Sequence, residues 1–127
     1  MAVQNRRHTK YSRSVLEIMQ ELGHATNADL AHILTNHFPD ISDTTVHRVT
    51  ARLCEDGLLG LAPHTVDGSM RYDINTSTHD HFVCSQCGEL RDIYLNEDYR
   101  EEISRQLDGC LISGSVTISG NCLHCQQ

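Results

Sequence analysis

The stretch "ISDTTVHRVTARLCEDGLLGLAPHTVDGSMRYDI", residues 41–74, changes its hydrophobic period part-way through. Ser42 or Asp43 supplies a helix N-cap, Val46, Val49 and Leu53 form an apolar stripe, and Gly57 marks the stop. Beyond it, "LLGLAPHT" and "MRYDI" flank the turn "VDGS", whose Asp-Gly pair is a hairpin signal. A helix that runs into a hairpin is the second half of a winged helix-turn-helix, provided two helices come first.

Two helical patterns do precede it. Val15, Ile18, Met19 and Leu22 recur at helical spacing and predict an amphipathic helix from about Ser12 to Leu22, ended by Gly23. "TNADLAHILTNHF" then opens on Thr26 with Asp29 three residues later, places Leu30, Ile33 and Leu34 on one face, and is closed by Pro39. On the third helix, Thr44, Thr45, His47, Arg48 and Arg52 fall between the apolar positions and are expected to be exposed. They are candidates for base and phosphate contacts. Arg6, Arg7, Lys10 and Arg13 form an acid-free basic arm, of which Lys10 and Arg13 are further candidates for DNA contact.

The net charge of −7 argues against a nucleic-acid binder only until it is divided. Residues 1–72 hold seven Arg/Lys against eight Asp/Glu, and residues 73–127 hold three against nine. The first part is close to neutral with local basic clusters that can meet phosphates. The second part carries the acid and has a different pattern. "HFVC" and "LRDIYL" read as strands, "NEDYREEISRQL" as a helix capped by Asn96, and Ile112, Val116 and Ile118 alternate with polar residues as in a half-buried strand. The fold class is therefore α+β, with a winged-helix domain over residues 1–75 and a small α/β domain over 76–127.

Six cysteines invite a disulfide framework, but four fall as Cys84-x-x-Cys87 and Cys122-x-x-Cys125 with 34 residues between the pairs. That spacing brings four thiolates around one tetrahedral zinc ion, and a closed four-sulfur shell is structural rather than catalytic. Cys54 and Cys110 lie outside the pattern and are expected to be small buried side chains. No run of eighteen apolar residues and no basic-then-apolar leader is present, so the expected location is the cytoplasm, with no membrane partner. His79 and His81 remain. Two apart on a strand, they point to one face, as surface histidines or as ligands of a second metal.

A winged helix ending in "RYDI", followed by "HDHFVCSQCGELRDI" and a terminal C-x-x-C, resembles the ferric uptake regulator (Fur) superfamily of bacterial metal-responsive repressors, from about Lys10 to Cys125. The resemblance implies a regulatory metal site between a DNA-binding domain and a dimerisation domain. Its ligands carry over onto His24, Asp73, His79, His81 and Asp92. Two aspartates among these are similar to the peroxide-responsive regulator (PerR) branch, where the iron-uptake branch has glutamates. Three imidazoles, two carboxylates and no thiolate suit Fe(II) or Mn(II).

The resemblance thus implies a homodimeric repressor, not an enzyme, on a palindromic double-stranded operator. The acidic half would be its dimerisation domain, held by the structural zinc. Fe(II) would make His24 or His79 the oxidation-sensitive residue. Alternatives are an iron, manganese or zinc uptake regulator without peroxide sensing and, from another class, a small non-haem iron enzyme. Three departures from the family pattern stand out. The segment before the first helix is short, so an additional N-terminal helix is expected to be missing or reduced. His47 stands where a tyrosine is usual, and Thr78 stands where some members have a histidine of an extra site.

Overall fold

The computed structural model describes residues 9–126, so Arg6 and Arg7 of the basic arm lie outside the described residues. The chain divides into two compact units, Met1–Thr76 and Ser77–Gln127.

In the first unit, α1 (Lys10–Leu22) is capped by the Thr9 hydroxyl, which accepts from the Ser12 N–H. Gly23 ends it at φ 79°, a left-handed conformation that glycine adopts at little cost, with its N–H donating to the Met19 carbonyl at 2.8 Å. A three-residue strand β1 (His24–Thr26) follows at once, which the helical periodicity did not announce. Thr26 then caps α2 (Asn27–Thr35) in a reciprocal box: its hydroxyl accepts from the Asp29 N–H, and its own N–H donates to the Asp29 carboxylate, both at 3.0 Å. Ser42 caps α3 (Asp43–Glu55), and Gly57 follows it at φ 76°.

The wing is β2 (Gly60–Ala62) and β3 (Arg71–Asp73), antiparallel, with β1 on the other edge of β3. Its long connection turns between Thr65 and Ser69, where the Gly68 N–H donates to the Thr65 carbonyl. Arg71 is buried there and donates from Nε to the Pro63 carbonyl and from a guanidinium NH2 to the His64 carbonyl, both at 3.0 Å, which straps the loop to the strand.

Val15, Met19, Ala25, Leu30, Leu34, Val46, Leu53, Leu59 and Tyr72 form one core. The α3 stripe differs from expectation at one step, because Val49 is half-buried and Thr50 is fully buried. A 3.6-residue repeat counted from Val46 reaches both positions, and Thr50 tolerates burial because its hydroxyl has the Asn27 side-chain oxygen at 2.8 Å and the Val46 carbonyl at 3.1 Å. Leu22, the last residue of the α1 stripe, is exposed.

The second unit is a three-stranded sheet in the order β5-β4-β6 with one helix. β4 (Asp80–Cys84) pairs antiparallel with β5 (Leu90–Ile93) and parallel with β6 (Thr117–Gly120), and α4 (Glu97–Gln106) is capped by Asn96. The alternation from Ile112 produces a strand only from Thr117, and Ile118 on it is exposed. The chain before Val116 leaves the sheet because the Val116 N–H donates to the Asp80 carboxylate at 2.9 Å. Cys110 is exposed, not buried, since it lies in the connection after α4. Cys54 is half-buried against the first unit's core, and that burial pushes its thiol up.

Candidate metal centres

Cys84 ends β4, Cys87 sits in the tight turn that leads to β5, and Cys122 and Cys125 sit in a second turn just after β6. The first turn closes with the Gly88 N–H on the Cys84 carbonyl at 2.9 Å, the second with the Cys125 N–H on the Cys122 carbonyl at 3.0 Å. The parallel β4/β6 pairing, with Cys84 opposite Gly120, brings the two turns to the same end of the sheet. The four sulfurs lie within 4.8 Å of one another.

One distance tests whether they fit a zinc ion or a disulfide. Cys87 Sγ and Cys122 Sγ are 3.8 Å apart, whereas a disulfide needs about 2.05 Å. Four sulfurs at about 2.3 Å from a tetrahedral zinc stand about 3.8 Å from one another. Charge points the same way. N–H groups of Cys87 and Cys122 aimed at its sulfur lower the Cys84 thiol to about 6, while the thiols of Cys122 and Cys84 push Cys125 up to about 12. Four clustered sulfurs do not all ionise by themselves, and a divalent cation removes that conflict.

The candidate regulatory ligands form two groups, one in each unit. In the first unit His24 on β1 is the direct cross-strand partner of Asp73 on β3, and His24 Nε2 lies 3.4 Å from Asp73 Oδ2. Asp73 is 2% exposed, and its other oxygen accepts from the Asn75 N–H at 2.9 Å, which fixes the carboxylate's orientation. In the second unit His81 is the cross-strand partner of Asp92, and one carboxylate oxygen, Asp92 Oδ1, lies 3.2 Å from His79 Nε2 and 3.5 Å from His81 Nε2. His79 and His81 are buried with ring centroids 4.4 Å apart.

The Ser77 carbonyl is 2.8 Å from His79 Nδ1 and can only accept, so Nδ1 carries the ring proton and Nε2 has the lone pair. A carbonyl behind an imidazole is the usual arrangement behind a metal-bound histidine. It also turns a lone pair toward a carboxylate oxygen, an electron-rich contact that a proton or a cation relieves. Neither group contains sulfur, so both fit a cation that prefers nitrogen and oxygen.

The ferric uptake regulator family model matches residues 4–118. The chain belongs to that family. It is 30% identical over 124 residues to the peroxide operon regulator of Bacillus subtilis, covering 95% of this chain and 85% of that one. It is 31% identical over 113 residues to the ferric uptake regulation protein of Cupriavidus metallidurans, covering 85% and 78%. The Helicobacter pylori ferric uptake regulator, whose structure is described as revealing three functional metal-binding sites, superposes with a TM-score of 0.80 at 22% identity, over 95% of this chain and 83% of that one. That last likeness speaks for the fold.

On this ferric uptake regulator family chain, the expected DNA-contact residues sit at the surface of α3. Thr44, His47, Arg48 and Arg52 are exposed, while Thr45 is half-buried and its hydroxyl pairs with that of Ser42 at 2.9 Å. Lys10 and Arg13 are exposed on the first turn of α1, and the Lys10 ammonium rests 5.2 Å from the Tyr11 ring centroid and 5.5 Å from that of Phe38.

Sequence reasoning missed Asp80 and Asn27. Asp80 is 1% exposed and accepts from the N–H groups of Leu95 and Val116 and, at 2.6 Å, from Arg100. Burial acts to raise its carboxyl, but these donors hold it below the usual range. Strand alternation was the available signal, since Asp80 must face away from His79 and His81. Asn27 bridges α2 to α3, and nothing in the one-dimensional pattern marks it.

Proposed function

We propose that this chain is a homodimeric, metal-dependent transcriptional repressor of the cytoplasm that loses its operator on exposure to peroxide. The observation that carries the reading is the pair of His–Asp groups. Each unit sets an imidazole directly opposite a carboxylate across two strands, and each group alone offers fewer donors than an Fe(II) or Mn(II) ion takes. One ion shared by His24, Asp73, His79, His81 and Asp92 would then favour a single domain arrangement, and only that differential affinity switches DNA binding. Zinc on Cys84, Cys87, Cys122 and Cys125 holds the dimerisation unit, and thiols so used belong in a reducing compartment.

Dimerisation is supported by what the second unit leaves uncovered. No residue of α4 is buried, Tyr99, Leu107, Leu111 and Ile118 are exposed, and β6 is an edge strand. A two-fold pair presents two α3 helices to a palindromic operator, with Thr44, His47, Arg48 and Arg52 at the bases and phosphates and Lys10 and Arg13 at the backbone. Membership of a regulator family favours this reading over a small non-haem iron enzyme.

For peroxide sensing, Fe(II) held by these residues would act as the catalyst that activates peroxide. A ring C–H of His24 or His79 would take up one peroxide oxygen and so give up two electrons to the peroxide, whose other oxygen leaves as water, and the altered ring would no longer ligate. Peptide mass spectrometry after brief peroxide exposure of the Fe(II) and Mn(II) forms tests this. One added oxygen on the His24 or His79 peptide is expected with iron and none with manganese. An unmodified iron form that stays on DNA leaves the second reading, a metal-uptake regulator, which the similar identity to the Cupriavidus metallidurans protein favours.

A further inference from the structure

Asn27, the first residue of α2, holds three side chains through one amide. Its oxygen accepts from the buried Thr50 hydroxyl at 2.8 Å. Its nitrogen lies 3.1 Å from His47 Nδ1 and 3.4 Å from the Tyr72 hydroxyl oxygen. An amide NH2 only donates, so His47 Nδ1 must accept, and in the neutral ring the proton sits on Nε2. His47 is exposed on α3, at the rim of a depression it forms with Asn27, Ala28, Asp43 and Val46.

We propose that Asn27 is a positioning residue for DNA recognition: it locks the His47 tautomer, so that Nε2–H is presented as a fixed hydrogen-bond donor to an acceptor on a base edge in the major groove. This rests on the reading of α3 as the recognition helix. A single donor selects against cytosine, whose major-groove edge offers only a donor, and favours guanine, which offers the adjacent N7 and O6 acceptors. Most isolated surface histidines exchange tautomers and read nothing in particular. Here the ring is tied to α2 through an amide whose other end is fixed by a buried threonine, so the choice of donor is made before DNA arrives.

The test uses Asn27→Asp. A carboxylate still accepts from Thr50 and Tyr72 and suits the first turn of a helix, so the fold is retained. It accepts from Nδ1–H instead of donating to Nδ1, and so moves the ring proton. Nitrogen-15 NMR of the full-length zinc-loaded protein without Mn(II) or DNA, at about pH 8, should find the neutral His47 ring protonated at Nε2 in the wild type and at Nδ1 in Asn27→Asp. Selection from a randomised double-stranded DNA library with the same two proteins, now Mn(II)-loaded, should find one symmetric position where the wild type prefers guanine over cytosine by about three- to tenfold, the worth of one hydrogen bond. Asn27→Asp should lose or invert that preference.

A wild-type ring protonated at Nδ1 overturns the proposal, as does one base preference shared by both proteins. Wild-type protein that enriches no sequence with Mn(II) overturns instead the reading as a DNA-binding regulator, and the NMR result stands apart from that outcome.

Discussion

Asp80 lies between two candidate ligands in sequence, and strand alternation sends it to the other face. There it holds Arg100 of α4 and the N–H groups of Leu95 and Val116, so one carboxylate joins β4 to the helix and to both flanking segments. The side chains are 2% and 17% exposed, and removing one member of such a pair leaves the other uncompensated. Asp80→Ala should destabilise the second unit by about 3–5 kcal/mol, measured by denaturant unfolding of the zinc-loaded protein; a loss below about 1 kcal/mol would mean that water replaces the carboxylate. His81 has the opposite profile. His81→Ala should leave fold and zinc content unchanged and remove the Mn(II)-dependent gain in operator affinity, since in the proposed reading the second metal drives the switch. An electrophoretic shift with and without Mn(II) reads this, and an undiminished metal response excludes His81 as a ligand. The residues most legible in sequence were those with a chemical signature at short spacing, the four cysteines and the H-x-H pair. His24 and Asp73 were reached through the family resemblance, because 48 positions separate them and only the β1/β3 register makes them neighbours. Asn27 left no trace, since a bridging amide looks like any helix-start polar residue.

Elements with their own local code were legible, and those made by pairing were not. The α2 start is the clearest example. Thr26 and Asp29 satisfy each other's backbone donors, which the spacing of the two residues announces. Thr26→Ala should cost the first unit about 1 kcal/mol, read as an equal shift in thermal unfolding with and without Mn(II), because the cap lies outside the candidate metal ligands. A shift seen only with Mn(II) would place Thr26 in the metal's support instead. By contrast β1 has three residues, too few for alternation to register, and is a strand only because β3 supplies partners. The alternation from Ile112 overstated β6 for a related reason. β6 pairs with the last four residues of β4, and although the Val116 carbonyl still accepts from the His81 N–H, the Val116 N–H goes to the Asp80 side chain, so the regular ladder ends there.

At the scale of the whole molecule, the two units are stabilised by different means. The first has nine buried core side chains and needs no metal to account for it. Among the described residues the second has only Cys84 and Cys122 as buried hydrophobic side chains, a helix with no buried residue, and its buried polar side chains in His79, Asp80 and His81. Such a unit gains little from apolar burial within one chain, and in the proposed reading zinc and a second copy supply the rest. Cys87→Ser tests both at once, because Cys87 is an exposed member of the sulfur cluster whose replacement removes a ligand and disturbs no core. Elemental analysis should find one zinc per wild-type chain surviving mild chelation and none in the variant, and light scattering should find the wild type dimeric and the variant monomeric. The melting of the first unit should persist in the variant, since its core contains none of these sulfurs. A zinc-free Cys87→Ser that is still a dimer would show that the exposed apolar residues of α4 and β6 are sufficient for association, and the zinc would then stabilise the fold of each chain without a role in assembly.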